Sequence, residues 1–164
     1  MAQPTKTQPS KTSGVSHGVR HAAVGSAANL EIGRAVYDAF NQRQFDRALA
    51  LCDEKCVISV IPTGQSYRGP NGMREFMQGW VNALPNCQVA LRHQYATETG
   101  VVNEFHGHGV HSGVLKTQQG NIGPTQKTLD LDFCEVWEIT DGKIQSIRAY
   151  FDVATMMRQL GLQK

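Results

Sequence analysis

TLDLDFCEVWEITDGKIQSIRAYFDVATMMRQLGL, residues 128–162, contains two strand patterns, a tight turn and a closing helix. Apolar and polar residues alternate over Thr128–Thr140 and again over Lys143–Phe151, as they do in half-buried strands. Asp141-Gly142 separates the two runs, and this dipeptide is a strong hairpin signal. An apolar helix is predicted over Val153–Leu160, ending before Gly161. The stretch therefore predicts a β-hairpin followed at once by a short helix.

The residues before this stretch predict helices first and strands afterwards. Helical spacing of apolar residues occurs in LEIGRAVYDAFNQRQ, FDRALALCDE and GPNGMREFMQGWVNAL, with the short strand CVISVIP between the second and the third. Further strands are predicted over Gln88–Ala96 and Val101–Leu115. This order favours an α+β fold in which the helices cover one face of a curved sheet. Such a half-cone leaves a cavity at its open end, where a small-molecule site is expected.

Composition and charge limit the class of protein. Residues 1–28 are rich in Thr, Ser, Gln and Gly and lack apolar periodicity, so we predict a flexible tail followed by a single domain over residues 29–164. An organelle-targeting role for this basic, acid-poor tail remains open. The net charge is +2, and no Lys/Arg-rich stripe indicates a nucleic-acid partner. No apolar run reaches the ~18 residues of a membrane span.

Neither the cysteines nor the histidines form a recognisable metal motif. The chain has four cysteines without CxxC spacing, each in or beside an apolar run: Cys52, Cys56, Cys87 and Cys134. We expect free buried thiols and a reducing, cytoplasmic location. His106 and His108 share a strand face, but no carboxylate joins them at ligand spacing. We therefore predict no metal.

Strand alternation identifies one acid on an apolar face. Glu135 shares its predicted face with Leu131, Phe133 and Trp137. A buried carboxylate needs partners or a raised pKa, so Glu135 is a pocket candidate. An open part of the sheet, or a bulge that reverses the alternation, is the alternative. Tyr37 lies between core positions of the first helix and is a second pocket candidate, although a tyrosine at such a position is more often an ordinary core or surface residue.

Arg148, Tyr150 and Asp152 share one face of the last predicted strand and could form a polar wall. Asp152 directly precedes an apolar helix, and Asp is a preferred N-cap residue. Two roles for Asp152 therefore remain open, a helix cap and a catalytic acid.

Three stretches together resemble a known family. The first, at Gly109–Leu115, reads GVHSGVL and is similar to a G-T-H-T-G-x-L strand. The second, at Gly120–Lys127, reads GNIGPTQK and is similar to a G-I-P-P-T-G-K connection. The third, at Asp141–Leu162, reads DGKIQSIRAYFDVATMMRQLGL and is similar to a D-G-K-I … W-x-Y-x-D … L-x-Q-L-G ending. These are motifs of the SnoaL-like polyketide cyclases, or ester cyclases, of the NTF2-like superfamily. The resemblance covers roughly residues 29–162.

The resemblance implies a fold and a reaction. The fold is an NTF2-like cone, with N-terminal helices packed on a curved mixed or antiparallel sheet and a short C-terminal helix. Cyclases of this family close a ring by intramolecular aldol condensation without cofactor or metal. Asp152 matches their acid/base residue, and His111 matches the histidine of the G-T-H-T-G strand. Tyr37, Trp80, Glu135 and Tyr150 are pocket candidates of our own and match no family motif.

The leading hypothesis is therefore a cofactor-free cyclase acting on a hydrophobic carbonyl or ester compound. A non-catalytic binding protein of the same fold is the second, because function depends on the site rather than the fold. A third is another isomerase or hydrolase of the superfamily that uses the same carboxylates. The expected partner is a small hydrophobic molecule, and the superfamily implies a homodimer.

Overall fold

The computed structural model describes residues 19–162, with side chains from residue 26 onward. The helices of this range are α1 (Val19–Asn41), α2 (Phe45–Leu49), α3 (Gly69–Ala83) and α4 (Val153–Gln159). Its strands are β1 (Cys52–Val60), β2 (Gln65–Arg68), β3 (Gln88–Thr97), β4 (Gly100–Val110), β5 (Leu115–Thr117), β6 (Gly120–Ile122), β7 (Thr128–Thr140) and β8 (Lys143–Phe151). No helix within this range is long and apolar enough to span a membrane.

Six strands form one sheet in the order β2-β1-β8-β7-β4-β3. All neighbours are antiparallel except β1 and β8, which are parallel, and β5 and β6 form a separate hairpin. The turn between β7 and β8 has positive φ at both Asp141 and Gly142, as a type I′ hairpin requires. The predicted α+β architecture, with a curved and mostly antiparallel sheet, is confirmed.

The helices cover one face of this sheet. The apolar stripe of α1 buries Val36, Ala39 and Phe40, and α1 packs on β3 and β4. The α3 helix has Pro70 in its first turn, where the missing N–H costs little, and packs on β1 and β2. The hydrophobic core therefore lies between these two helices and the inner face of the sheet.

The N-terminal boundary differs from the prediction. The α1 helix begins at Val19 and so includes residues 19–28, which composition assigned to the tail. Residues 1–18 of the predicted tail lie outside the described range, and so do residues 163–164.

The strand predicted over Val101–Leu115 ends at Val110. After it, the backbone N–H of Gly113 donates to the Ala83 carbonyl oxygen over 3.0 Å, which draws the chain against the end of α3. A side chain at position 113 would overlap the carbonyl oxygen of Asn82, so this close approach requires glycine. The chain then forms the β5–β6 hairpin, which together with β2 is absent from the sequence prediction.

Candidate functional site

An apolar cavity lies between α1, α3 and the inner face of the sheet, with a volume of about 80 Å³. We call it the inner cavity. Its walls are mostly aromatic and aliphatic, and Glu135 is the one carboxylate among the described residues that line it. Six residues of its wall form the candidate site: Tyr37, Trp80, Phe105, Phe133, Glu135 and Trp137.

Glu135 points inward because of its position in β7. The strand alternates between buried and exposed residues, and Glu135 lies on the buried side with only 4% of its surface exposed. It pairs in register with Asn103 of β4 and Ala149 of β8, both of which are buried as well. The carboxylate is therefore held in the middle of the sheet rather than on a mobile loop.

The two oxygens of the Glu135 carboxylate have different surroundings. Oε2 accepts hydrogen bonds from the Tyr37 hydroxyl at 2.8 Å and from the Trp137 indole N–H at 3.0 Å. Oε1 accepts no hydrogen bond from the described residues. One oxygen is therefore fixed by the protein, and the other is left available to a ligand.

Burial raises the pKa values of both Glu135 and Tyr37. Loss of hydration raises the pKa of Glu135 to about 7, although the hydrogen bonds from Tyr37 and Trp137 act in the opposite direction. Burial also raises the pKa of Tyr37, and the neighbouring Glu135 carboxylate adds to the rise. At neutral pH, Glu135 can therefore gain or lose a proton, whereas the Tyr37 phenol keeps its own.

Two amide side chains lie beside Tyr37 and Glu135 in the sheet. Asn103 is fully buried beside Tyr37, and its amide partly offsets the rise in the pKa of Tyr37. Gln94 of β3 donates to Asn103 Oδ1 at 2.7 Å, which fixes the orientation of that amide. Sequence reasoning missed both residues. A signal was present, because Asn103 lies between Val101 and Phe105 on the apolar side of the β4 alternation.

Aromatic rings form a continuous wall around the carboxylate. Phe105 lies 4.8 Å from Tyr37 and 5.0 Å from Phe133, measured between ring centroids. Phe133 in turn contacts Trp80 at 5.6 Å and Phe151 at 5.2 Å. This wall makes the environment of Glu135 apolar, which is the cause of its raised pKa.

A family model for the SnoaL-like polyketide cyclases matches residues 31–160. The chain belongs to this family. No curated protein matches the chain.

Several solved structures share the fold of this chain. A protein from Jannaschia sp. CCS1, provisionally described as a SnoaL-like polyketide cyclase, is 14% identical with a TM-score of 0.74, over 85% of this chain and 95% of that one. A protein from Xanthomonas campestris pv. campestris, provisionally described as a polyketide cyclase, is 23% identical with a TM-score of 0.67, over 83% and 98%. A protein from Catenulispora acidiphila with a ketosteroid isomerase-like fold is 15% identical with a TM-score of 0.68, over 81% and 94%. At these identities the likeness concerns the fold.

The predicted site residues of this SnoaL-like protein separate into two groups. Tyr37, Trp80 and Glu135 all line the inner cavity. The other three predicted residues, His111, Tyr150 and Asp152, are not part of its lining.

Asp152 is the N-cap of α4 and is exposed. Its Oδ1 accepts from the backbone N–H of Thr155 at 3.1 Å, and its Oδ2 accepts from the Thr155 hydroxyl at 2.6 Å. The hydrogen bonds from the side chain and backbone of Thr155 lower the pKa of Asp152. Both oxygens therefore serve the helix end, and the capping role left open by the sequence is the one observed in this geometry.

Tyr150 lies on the outer face of the sheet with 39% of its surface exposed. The neighbouring Arg148 faces the same side and donates to Glu138 Oε1 at 2.8 Å. The polar wall expected from Arg148, Tyr150 and Asp152 thus faces away from the inner cavity.

His111 is fully buried in the connection that follows β4. Its Nδ1 accepts from the backbone N–H of Thr125 at 3.2 Å and lies 3.0 Å from the Thr125 hydroxyl, whereas Nε2 has no partner among the described residues. Burial lowers the pKa of His111, so the ring is neutral at physiological pH. His111 therefore anchors the β4–β5 connection to residue 125.

No group of three or more His, Cys, Asp or Glu residues within the described range is arranged to hold a metal ion. The two nitrogens of His106 face Asp130 and Asp132 on the outer side of the sheet. All four cysteines are free thiols, and three of them are buried whereas Cys134 is half-buried.

Proposed function

We propose that this SnoaL-like protein is a cofactor-independent enzyme that moves protons at a carbon atom next to a carbonyl group. Glu135 is the acid/base residue in this proposal. The observation that carries it is a buried carboxylate with a pKa of about 7, facing an apolar cavity with one oxygen free of protein partners. General acid/base groups work best when their pKa lies near the working pH.

The proposed reaction is an intramolecular aldol condensation, the ring closure typical of the family. Glu135 Oε1 takes a proton from the carbon next to a carbonyl, and the electron pair of that C–H bond forms an enolate. The enolate carbon attacks a second carbonyl carbon of the same molecule, forming the new C–C bond. The protonated Glu135 then gives its proton to the resulting alkoxide oxygen. Protons and electrons balance within the substrate and Glu135, so the step needs no external reactant.

Tyr37 and Trp137 hold the base in place during this cycle. Both donate to Oε2, so the ionised carboxylate keeps a fixed orientation with Oε1 towards the substrate. Their hydrogen bonds also limit the rise in pKa that burial causes. Without them the carboxylate would be protonated at neutral pH and could not act as a base.

Asp152 is the competing candidate, because it matches the acid/base position of the family motif. Its carboxylate is exposed, and both of its oxygens accept hydrogen bonds from Thr155. A carboxylate with a lowered pKa at the surface is a weak base at neutral pH. These properties favour Glu135 over Asp152 as the residue that takes the proton.

The proposal is tested by deuterium exchange, which requires no knowledge of the natural substrate. The acetyl methyl protons of para-methoxyacetophenone exchange in D₂O when a base removes them, and NMR measures the rate. We expect Glu135→Gln to reduce the protein-catalysed rate by about 100-fold or more. Asp152→Asn is the matched control, since it also replaces a carboxylate by an amide, and it should retain most of the rate.

Two outcomes would contradict the assignment of Glu135 as a catalytic base, and a third would change the reaction. Exchange that survives Glu135→Gln but is lost in Asp152→Asn would transfer the role to Asp152. Binding of the ketone without any catalysed exchange would favour a non-catalytic binding protein, the second hypothesis for this fold. Exchange without ring closure on dicarbonyl substrates would instead favour an isomerase that uses the same Glu135.

A further inference from the structure

A second concave surface lies next to the inner cavity. It has a volume of about 430 Å³ and lies between α3, the strands β1 and β2, and the β5–β6 hairpin. We call it the outer groove. Phe76, Trp80 and Phe151 line both the inner cavity and the outer groove. The two spaces therefore adjoin each other at these three aromatic side chains.

The inner cavity is too small to hold a large substrate alone. Its volume of about 80 Å³ is well below that of the ~150 Å³ cavity that takes one benzene molecule. The carbonyl end of a ligand can therefore reach Glu135, but the ring or chain that carries it must extend past Trp80. The space available to that ring or chain is the outer groove.

The outer groove differs from the inner cavity in its chemistry. Neutral hydrogen-bonding side chains, namely amides and hydroxyls, dominate its polar lining: Thr63, Gln65, Asn71, Gln78, Asn82 and Thr117. Amides and hydroxyls both donate and accept, so they pair well with ligand hydroxyl groups. Of the charged lining residues, Arg74 forms an ion pair with Asp46, and Glu75 and Lys116 have opposite charges. The lining therefore suits a neutral, polar ligand better than an ion.

Gly79 of α3 opens this groove. Glycine is among the least favourable residues in a helix interior, yet no positive φ is found at Gly79. A Cβ at this position would meet no atom within 4 Å, so packing among the described residues does not require glycine. The missing side chain leaves open space in the groove wall, directly beside Trp80.

We propose that the outer groove is a subsite for a neutral, hydroxyl-rich extension of the substrate, such as a sugar attached to a ring-bearing ketone. The proposal rests on the proposed function for its choice of a ketone in the inner cavity. In this arrangement the ring packs against Phe76, Trp80 and Phe151, the side chains common to both spaces, with the carbonyl end towards Glu135 and the hydroxyl groups on the amides of the groove. Gly79 leaves the room that the extension occupies.

A matched pair of probes tests this subsite. Para-methoxyacetophenone and the glucoside of para-hydroxyacetophenone share the acetyl ring and differ by the sugar. We expect the full-length protein to bind the glucoside about tenfold more tightly, as two to three added hydrogen bonds allow. Titration is followed by the NMR signals of the two indole N–H groups, because both tryptophans, Trp80 and Trp137, line the inner cavity.

Substitutions at Gly79 supply the structural control. Gly79→Leu should remove the advantage of the glucoside and leave the affinity for para-methoxyacetophenone within about twofold, because leucine fills the groove and not the inner cavity. Gly79→Ala adds only a methyl group and should retain most of the advantage. Gln78→Ala removes one neutral hydrogen-bonding group, so it should lower the affinity for the glucoside and leave that for para-methoxyacetophenone unchanged. Thermal unfolding of each variant verifies that the fold is intact.

The subsite is overturned if wild-type protein binds the glucoside no more tightly than para-methoxyacetophenone, or if Gly79→Leu weakens both probes equally. Tighter binding of the anionic para-acetylphenoxyacetate than of the glucoside would contradict the proposal of a neutral ligand. It would indicate that the groove binds an anion through Lys116. These are binding measurements, so they are separable from the proposed function. Selective glucoside binding with no deuterium exchange would support the subsite and contradict the role of Glu135.

Discussion

Glu135→Gln should change the pH dependence of stability in a direction opposite to that of most carboxylate substitutions. The side chain is fully buried, and burial raises its pKa from 4.5 to about 7 in the folded protein. The folded state therefore binds a proton between these pH values that the unfolded state has lost. Because stability rises with pH only where the unfolded state binds more protons, the contribution of Glu135 falls as pH rises from about 4.5 to about 7.

The magnitude follows from the size of the shift. Each pKa unit corresponds to about 1.4 kcal/mol, so ionised Glu135 lowers the free energy of unfolding by about 3 kcal/mol above pH 7. Glutamine has nearly the same shape and carries no charge, and its carbonyl oxygen can still accept from Tyr37 and Trp137. We expect Glu135→Gln to be more stable than wild type by up to about 3 kcal/mol at pH 8, with the difference close to zero at pH 4.5.

Urea unfolding at a series of pH values measures this difference directly. Other titrating groups are common to both proteins and cancel when wild type is subtracted from Glu135→Gln. Thermal unfolding at pH 8 gives a second measure, because ~1 kcal/mol shifts the midpoint by about 2–4 °C in a domain of this size. A Glu135→Gln protein that is less stable than wild type by the same amount at pH 5 and pH 8 would refute the reasoning, since it would mean that the carboxylate is not desolvated.

Four further outcomes follow from the geometry. Tyr37→Phe removes a hydrogen bond to the ionised Glu135, so the midpoint of the pH–rate profile for deuterium exchange should rise by about one to two units from pH 7. In wild type the exchange rate should itself increase with pH and level off above pH 7. Gly113→Ala should lower the free energy of unfolding by well over ~1 kcal/mol in urea titrations, whereas Gly123→Ala, where a Cβ meets no atom within 4 Å, should be nearly neutral. Asp152→Ala should lower the thermal midpoint slightly by removing a helix cap and leave the exchange rate unchanged.

Strand alternation predicted the inward position of Glu135 correctly because β7 is regular through this region. Its bounds, Thr128–Thr140, are those expected from the sequence, and the buried residues follow the predicted side. The same method fails at Ile144 of β8, which is buried although its position in the alternation is that of Arg148 and Tyr150. The pairing of β7 with β8 shifts between Glu138 and Ile139. This bulge reverses the alternation, and a bulge has no clear signal in a single sequence.

Partners across the sheet were not predictable in the same way. The alternation shows that Asn103 and Glu135 are inward, but only the strand register places them side by side. Tyr37 and Glu135 are 98 positions apart in the chain, so their hydrogen bond depends on how α1 packs on the sheet. Local sequence patterns carry no information about such distances. For this reason the pocket candidates could be named individually, but their hydrogen-bonded pairing could not.

Asp152, the carboxylate of the family motif, and Glu135, the carboxylate that the geometry favours, lie on opposite sides of the sheet. The register of β8 explains the difference. Phe151 pairs with Phe133, and its ring also lies 5.9 Å from Trp80, so Phe151 faces the inner cavity. Asp152 follows directly and therefore faces the other way. Turning Asp152 inward would require a one-residue shift of the strand end, which would move Phe151 out of this aromatic wall. Glu135 requires no such rearrangement, because its alternation, its register and its two hydrogen bonds all hold the carboxylate at the inner cavity.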